Sequence, residues 1–281
     1  MAGKVQKANA EKLRALHAAG VLILPNAWDA GSAAVIALAG VQAIATTSGG
    51  IAWSLGRRDG QRLTRAEMIQ RIGEIVAAVT IPVTADIEGG YGSGPGDVAQ
   101  TAEAVIAAGA VGVNLEDSRA PGGPLFDSAE QAGRIQAARA VSDSAGLPGL
   151  FINARTDVFL YGIGVPGTQL DDVLARSCAY ARAGADGLFV PGLTDLQVVT
   201  ELAEASPLPL NVMAGPGAPS VAELAAAGVR RGQHRHRHHP GGLHPRPARG
   251  NRAVHQGQLH RARRVPRLRH HQQPVRPLKG S

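Results

Sequence analysis

A single cysteine in 281 residues, Cys178, excludes an intrachain disulfide and suits a reducing cytoplasm. Apolar runs are short: none approaches the ~20 residues that span a bilayer. The polar, amphipathic start "MAGKVQKANAEKLRALHAAG" lacks the apolar segment of a secretory signal. Aromatic residues are scarce at 3%, and residues 232–281 contain none, which removes the stacking groups that a single-strand nucleic-acid binder uses. Those same residues contain no Asp or Glu, while residues 1–231 contain one histidine, His17.

What is there divides unevenly. Residues 232–281 hold 11 Arg, 1 Lys and nine of the ten His, a charge of +12, so residues 1–231 carry −5 of the net +7. The basic balance therefore belongs to the tail, and the body is mildly acidic. With 44% hydrophobic residues the body can fill a sizeable core.

Apolar or β-branched runs recur along that body: "VLILP" (21–25), "QAIATTS" (42–48), "IPVTAD" (81–86), "VGVNLED" (111–117), "LFINART" (150–156), "DGLFVPG" (186–192) and "LPLNVMAG" (208–215). Most lack polar alternation, as strands buried on both faces do. Ala-rich helical patterns such as "GDVAQTAEAVIAAGA" and "LDDVLARSCAYARAGA" lie between them. An alternating series of this kind implies α/β architecture, either a doubly wound sheet or a (β/α)8 barrel of TIM type. Polar residues at the C-terminal end of strand after strand (Ser48, Asp86 with Glu88, Glu116 with Asp117, Arg155) favour the barrel, whose mouth gathers them. An eighth strand is due after "SVAELAAAGVRR", where the basic tail begins.

Asp86 and Glu88 lie two apart at a strand end and share a face. With Glu116 one strand later, three carboxylates are placed to surround a hard divalent cation, although solvated loop acids would account for any one alone. The turn Ser48-Gly49-Gly50 offers backbone N–H groups to a carboxylate or enolate oxygen. Arg155 in "NARTD" suits a bidentate carboxylate, or else pairs structurally with Glu116 or Asp157. Asp59 in "RRDG" reads as an ordinary turn residue, and Cys178 as apolar filling in a helix.

In order, "PNAWDAGSA", "TTSGGIAWSLGRRDG", "ADIEGGYG", "GVNLEDS", "NARTD", "GADGLFVPG" and "NVMAGPG" resemble the isocitrate lyase/phosphoenolpyruvate mutase superfamily, in its phosphonomutase-like branch, over about residues 10–231. The resemblance implies a (β/α)8 barrel, a homotetramer that exchanges its eighth helix, Mg²⁺ (or Mn²⁺), and a small 2-oxo acid or substituted succinate as substrate. It implies Asp86 as the main metal carboxylate, with Asp59, Glu88 and Glu116 acting directly or through water. Ser48, Gly49 and Gly50 would bind the substrate's carboxylate and carbonyl, and Arg155 would clamp its other end; Asp59, Glu116 and Arg155 form the implied catalytic set. Family lyases carry a K-x-C-G-H type loop whose Cys is the acid, and mutases a Lys-containing loop. Here "EDSRAPGGPLFDS" has neither, Arg119 being its sole basic residue.

The tail "GQHRHRHHPGG" has the composition of GC-rich coding DNA read out of frame. Back-translating residues 232–240 and dropping one base permits V-S-T-G-I-A-I-T, a β-rich run; the same operation on "LRHHQQPVR" permits Y-G-I-I-N-N-L-F. The chain is accordingly expected to comprise a barrel over residues 1–231 and an out-of-frame, disordered tail over residues 232–281 that has cost it the eighth strand and helix. Three functions compete: a Mg²⁺-dependent lyase or phosphonomutase, a non-catalytic 2-oxo acid binding protein of the same fold, and a nucleic-acid binder resting on the tail alone. A small carboxylate is the expected ligand; neither membrane nor nucleic acid is an expected partner. Resequencing codons 225–281 is expected to reveal one missing or extra base near codon 231; a confirmed frame would refute this.

Overall fold

The structure, a computed structural model, describes residues 2–215 and 217–234. The first half runs α1 (Lys4–Ala18), β1 (Leu22–Leu24), β2 (Asn26–Ala27), α2 (Ala30–Leu38), β3 (Ile44–Thr46), α3 (Ser48–Ser54), α4 (Arg65–Ala77), β4 (Val83–Asp86) and α5 (Pro95–Ala107). The second continues β5 (Gly112–Glu116), α6 (Ser128–Ser144), β6 (Phe151–Arg155), α7 (Val158–Tyr161), α8 (Gln169–Arg182), β7 (Gly187–Phe189), α9 (Leu196–Ala205), β8 (Leu210–Ala214), α10 (Val221–Ala226) and β9 (Arg231–His234). All seven strands read from the sequence are present, and so is the α/β barrel of TIM type. Among the described residues no helix is long and apolar enough to cross a membrane.

All ladder pairings are parallel, in the order β1-β9-β8-β7-β6-β5-β4-β3-β2. β1 and β2 are two halves of one barrel strand broken at Pro25. β1 pairs with β9, and β2 with β3. Pro25 has no N–H to give, but its carbonyl accepts from Ala45 N at 3.0 Å, so the break transfers pairing from one neighbour to the other. The strands β4 and β5 are buried along their whole length, as a layer enclosed by helices outside and side chains within requires.

Local chemistry starts the helices. Thr64 with Glu67, Asp127 with Glu130 and Ser220 with Glu223 form reciprocal capping boxes at α4, α6 and α10, each satisfying N–H groups that the first turn leaves without partners. At the N-terminal end of the barrel, His17 of α1 stacks on Phe151 with ring centroids 3.8 Å apart. Burial, and then the charge of Arg231, push His17 down to about 4, so the ring is neutral and serves as packing.

One expectation needs correcting. The eighth strand position is not lost: Arg231–His234 fill it, pairing with β8 through Asn211↔Arg231 to Ala214↔His234 and with β1 through Leu22↔Arg231 to Leu24↔Gln233. Strand pairing uses main-chain groups, so a short polar sequence can occupy the slot that geometry leaves open. Its side chains fit unevenly: Gln233 is tied to Asn211 of β8 and Asn26 of β2, but Arg231 is not so placed. Arg231 is 1% exposed, and among the described residues its guanidinium hydrogen-bonds only Gln233 Oε1, at 3.3 Å, with Nε and Nη1 left without a partner. The expected eighth helix, like the rest of the tail, lies outside the described residues.

A chain stopped after Arg230 is therefore expected to lose cooperative thermal unfolding and to collect in the insoluble fraction, because the edges of β1 and β8 are left bare. One stopped after His234 should keep a single transition. Equal behaviour of the two would show that β9 does not hold the barrel closed.

Candidate active site

Asp86 ends β4 and is fixed from three sides. Its Oδ2 accepts the Ser48 N–H at 3.0 Å, its Oδ1 accepts Asn114 Nδ2 at 3.3 Å, and its own N–H is held by Thr46 Oγ1 at 2.8 Å. Asn114 is itself oriented by Asn153 Nδ2, 3.0 Å from its Oδ1. The carboxylate therefore points into the mouth from a frame of three neighbouring strands. Of the three N–H groups in the Ser48-Gly49-Gly50 turn, Ser48 gives its own to Asp86 and Gly50 donates to Thr47 Oγ1 at 3.3 Å, which leaves Gly49 N–H for a ligand. Gly49 is also the point of closest approach to Asp59: a Cβ there would sit 3.0 Å from Asp59 Oδ2.

Three non-glycine residues adopt left-handed backbone among the described residues, and all three meet here: Gln61 (φ 55), Glu88 (φ 50) and Tyr91 (φ 58). Such conformations cost about 1–3 kcal/mol each and persist where surrounding structure imposes them. Gln61 is the clip, accepting the Tyr91 N–H at 3.2 Å on its Oε1 and giving a backbone hydrogen bond to Glu88. Glu88 is 3% exposed and its Oε2 has no partner. Burial, then the charges of Asp86 and Asp59, raise it to about 8. The Tyr91 hydroxyl is also buried without a partner, and burial and the same carboxylates raise it.

Opposite this acid cluster stands Arg155, at the end of β6. Its Nη1 lies 2.9 Å from Glu116 Oε2, its Nε 2.6 Å from Asp157 Oδ1 and its Nη2 3.2 Å from Asp157 Oδ2. Both pairings open to it in the sequence are thus made together. Burial disfavours its charge, but Asp157 and Glu116 more than compensate and raise it. Burial raises Glu116 despite the pull of Arg155, with Asp157, Asp86 and Glu88 adding to the rise. One Nη hydrogen on each side remains for a carboxylate.

The segment after β5 folds back over this side. Ser118 and Leu125 form an antiparallel bridge, and Phe126 N–H returns to Asp117 O at 2.8 Å. Pro121 rests on Gly60, where a Cβ would come within 2.2 Å of its Cγ; no residue but glycine fits beneath it. At the outer end the Phe126 ring lies against the guanidinium groups of Arg119 and Arg134, 4.1 and 3.8 Å from its centroid. Arg134 also holds the carbonyls of Gly89, Gly92 and Ser93, so one buried cation fixes both the loop after β4 and the root of this one. A cavity of ≈ 250 Å³ lies between them, bordered by Gln61, Ser93, Ser118, Arg119 and Phe126.

Every site residue read from the sequence reaches this mouth, but in two groups: Ser48, Gly49, Asp59, Asp86 and Glu88 on one side, Glu116 with Arg155 on the other. Gly50 reaches a ligand with its N–H only by giving up Thr47. Among the described residues no three acidic, His or Cys side chains close around one point as a ready-made metal cage. The donor set still fits a hard divalent cation that keeps its waters, because Glu88 Oε2 is an unpartnered buried oxygen inside a crowd of like charges. Residues not singled out in the sequence include Gln61, Asn114 and Ser118, and Asp157 was named only as an alternative partner of Arg155. Asn114 had a signal, since "VNLE" and "INAR" place Asn two residues before Glu116 and Arg155; Gln61 had none.

Residues 13–236 match the family model described as phosphoenolpyruvate phosphomutase. The chain belongs to the phosphoenolpyruvate mutase family. An uncharacterized protein of Mycobacterium tuberculosis H37Rv is 36% identical over 217 residues, 77% of this chain and 78% of that protein. The 2-methylisocitrate lyase of Escherichia coli K12 is 32% identical, covering 74% and 68%, and the oxaloacetate decarboxylase of Bradyrhizobium sp. BTAi1 34%, covering 63% and 60%. The crystal structure of a phosphonomutase candidate from Burkholderia cenocepacia J2315 superposes with a TM-score of 0.77 at 47% identity, covering 82% of this chain and 92% of that one. Members of this superfamily are lyases or phosphonomutases, and this family member is an enzyme of that group.

The crowding of acids has a measurable signature. An unfolded Glu88 titrates near 4.5 and the folded one near 8, so folding binds a proton between those values. Its stabilising share is present at low pH and is lost as pH rises through 8, at most about 1.4 kcal/mol per pH unit. The melting temperature of metal-free protein should fall from about pH 5 to about pH 8 and level off above, and Glu88→Gln should flatten that slope. An unchanged slope in the variant would show that Glu88 does not carry the effect.

Proposed function

We propose that the protein is a Mg²⁺-dependent lyase or phosphonomutase-type enzyme that makes or breaks a C–C or P–C bond beside the carbonyl of a small 2-oxo acid or substituted succinate. The observation that carries this reading is the pairing, at one barrel mouth, of a buried carboxylate cluster with a guanidinium held ready for an anion. Asp86 would hold the cation, with Glu88, Asp59 and Glu116 reaching it through water. Bound there, Mg²⁺ or Mn²⁺ supplies Lewis acidity that favours an enolate. Gly49 N–H and the Ser48 hydroxyl bind the oxygens at the reacting end of the substrate, and Arg155 takes the far carboxylate with its two remaining Nη hydrogens. The segment 118–125 shields the reacting bond from bulk water. The relatives named oxaloacetate decarboxylase and 2-methylisocitrate lyase support a substrate of this size and charge.

Assembly as a cytoplasmic homotetramer belongs to the same proposal. On α2, Val35 and Leu38 are 69% and 87% exposed, which supports association with another copy. The segment that would exchange lies outside the described residues, as does all but the first three residues of the tail 232–281, which we take to be out of frame.

A panel of oxaloacetate, 2,3-dimethylmalate, 2-methylisocitrate and phosphonopyruvate, each with and without Mg²⁺, tests the function. Turnover of at least one acid that needs the metal and falls by about 100-fold or more in Asp86→Ala is the expected result. Binding of an oxo acid with no turnover would instead establish a non-catalytic binder, an outcome made concrete by the absence of Cys and Lys from "EDSRAPGGPLFDS".

A further inference from the structure

We propose that Asp157 is a positioning residue for the Arg155 clamp, and that Ser118 uses it to couple the segment 118–125 to that clamp. The coupling is geometric; only its effect on turnover rests on the function proposed above.

Asp157 has no side-chain exposure, and it sits on the Arg155 side of the mouth, where its charge repels that of Glu116. Its Oδ1 and Oδ2 grip Arg155 as a fork, at 2.6 and 3.2 Å, which fixes the plane of the guanidinium. The same Oδ2 accepts the Ser118 hydroxyl at 2.6 Å. One buried carboxylate oxygen is thus shared between the clamp and the first residue of the covering segment.

The shared atom cannot follow the segment. The Asp157 N–H is held by Asp117 Oδ1 at 3.1 Å, and Asp117 Oδ2 is anchored to α8 by the Tyr180 hydroxyl at 2.8 Å and Arg176 Nη1 at 3.2 Å. Arg176 also holds Phe126 O at 2.9 Å, at the segment's far root. Movement of the segment therefore breaks the Ser118–Asp157 bond and does not drag Asp157 along. Oδ2 is then left with Arg155 Nη2 alone, and a buried carboxylate oxygen short of donors draws that guanidinium closer or turns it. Segment closed and clamp correctly aimed are mutually stabilising states, and a carboxylate that needs the aimed clamp favours the closed segment.

Two readouts follow on the full chain, neither requiring turnover. Arg119 is the sole trypsin site in residues 117–127, and its cleavage can be followed by fragment mass. Ser118→Ala and Asp157→Asn should each speed it by about 3- to 10-fold, the size of one lost hydrogen bond, with the double variant no faster than the faster single one. In Ser118→Ala, which removes a single hydroxyl and no backbone contact, the Arg155 Nε–H should exchange faster by a similar factor, and Ser118→Thr should restore it. Multiplying effects in the double variant, or an Arg155 Nε–H that exchanges at the wild-type rate in Ser118→Ala, would overturn the coupling. Where an acid is turned over, Ser118→Ala should raise KM for a dicarboxylate while kcat stays within about twofold; a fall in kcat with KM unchanged overturns the role at the clamp. A wild-type chain inactive on every acid refutes the functional reading, and the cleavage and exchange results still decide the coupling.

Discussion

The mouth of this barrel is organised by one electrostatic constraint: more carboxylates are buried together than the protein supplies cations to balance. Asp86, Glu88 and Glu116 are buried around the mouth with Asp59 half-buried beside them, and the one direct ion pair that Arg155 makes within this set is with Glu116. Burial makes every uncompensated charge costly, and the rise of Glu88 to about 8 is its local expression. The left-handed backbone at Gln61, Glu88 and Tyr91 and the hydrogen bonds that pin Asp86 hold these acids in place against their mutual repulsion.

The acids on the strand ends were legible because a parallel barrel turns strand number and position into place: a polar residue closing a buried run must face the mouth. The same rule found Ser48, Asp86, Glu116 and Arg155. It could not find Gln61, whose role depends on a left-handed turn in a loop, nor Ser118, whose partner is 39 residues away across the sheet. It also left Arg155 between pairing with Glu116 and pairing with Asp157, because spacing says nothing of a fork that reaches both. The lost eighth strand was inferred from side chains that look wrong for a barrel. Main-chain pairing overrode them, at the expense of a buried Arg231 with two unpartnered nitrogens.

Two kinds of rigidity meet around the substrate space. Asp86 and its asparagine neighbours belong to the strands and are as fixed as the sheet. The segment from Ser118 to Leu125 is held instead by separable ties: one hydroxyl inside, an exposed ion pair between Arg119 and Glu130 outside, and the contact of Pro121 with Gly60. Surface pairs of that kind contribute little, so the inner hydroxyl bond and the Phe126 stack carry most of the hold. A rigid floor under a lightly tied cover lets the cover move without disturbing the acids.

The division of the first strand at Pro25 also bears on synthesis. Leu22–Leu24 find their partner in Arg231–His234, so the first strand to leave the ribosome waits for the last described one before the ring can close. Until then the nascent chain carries two open edges, the sort of intermediate that chaperones hold and that aggregates when none are at hand. Errors in Arg231–His234 would first be felt as failed biogenesis.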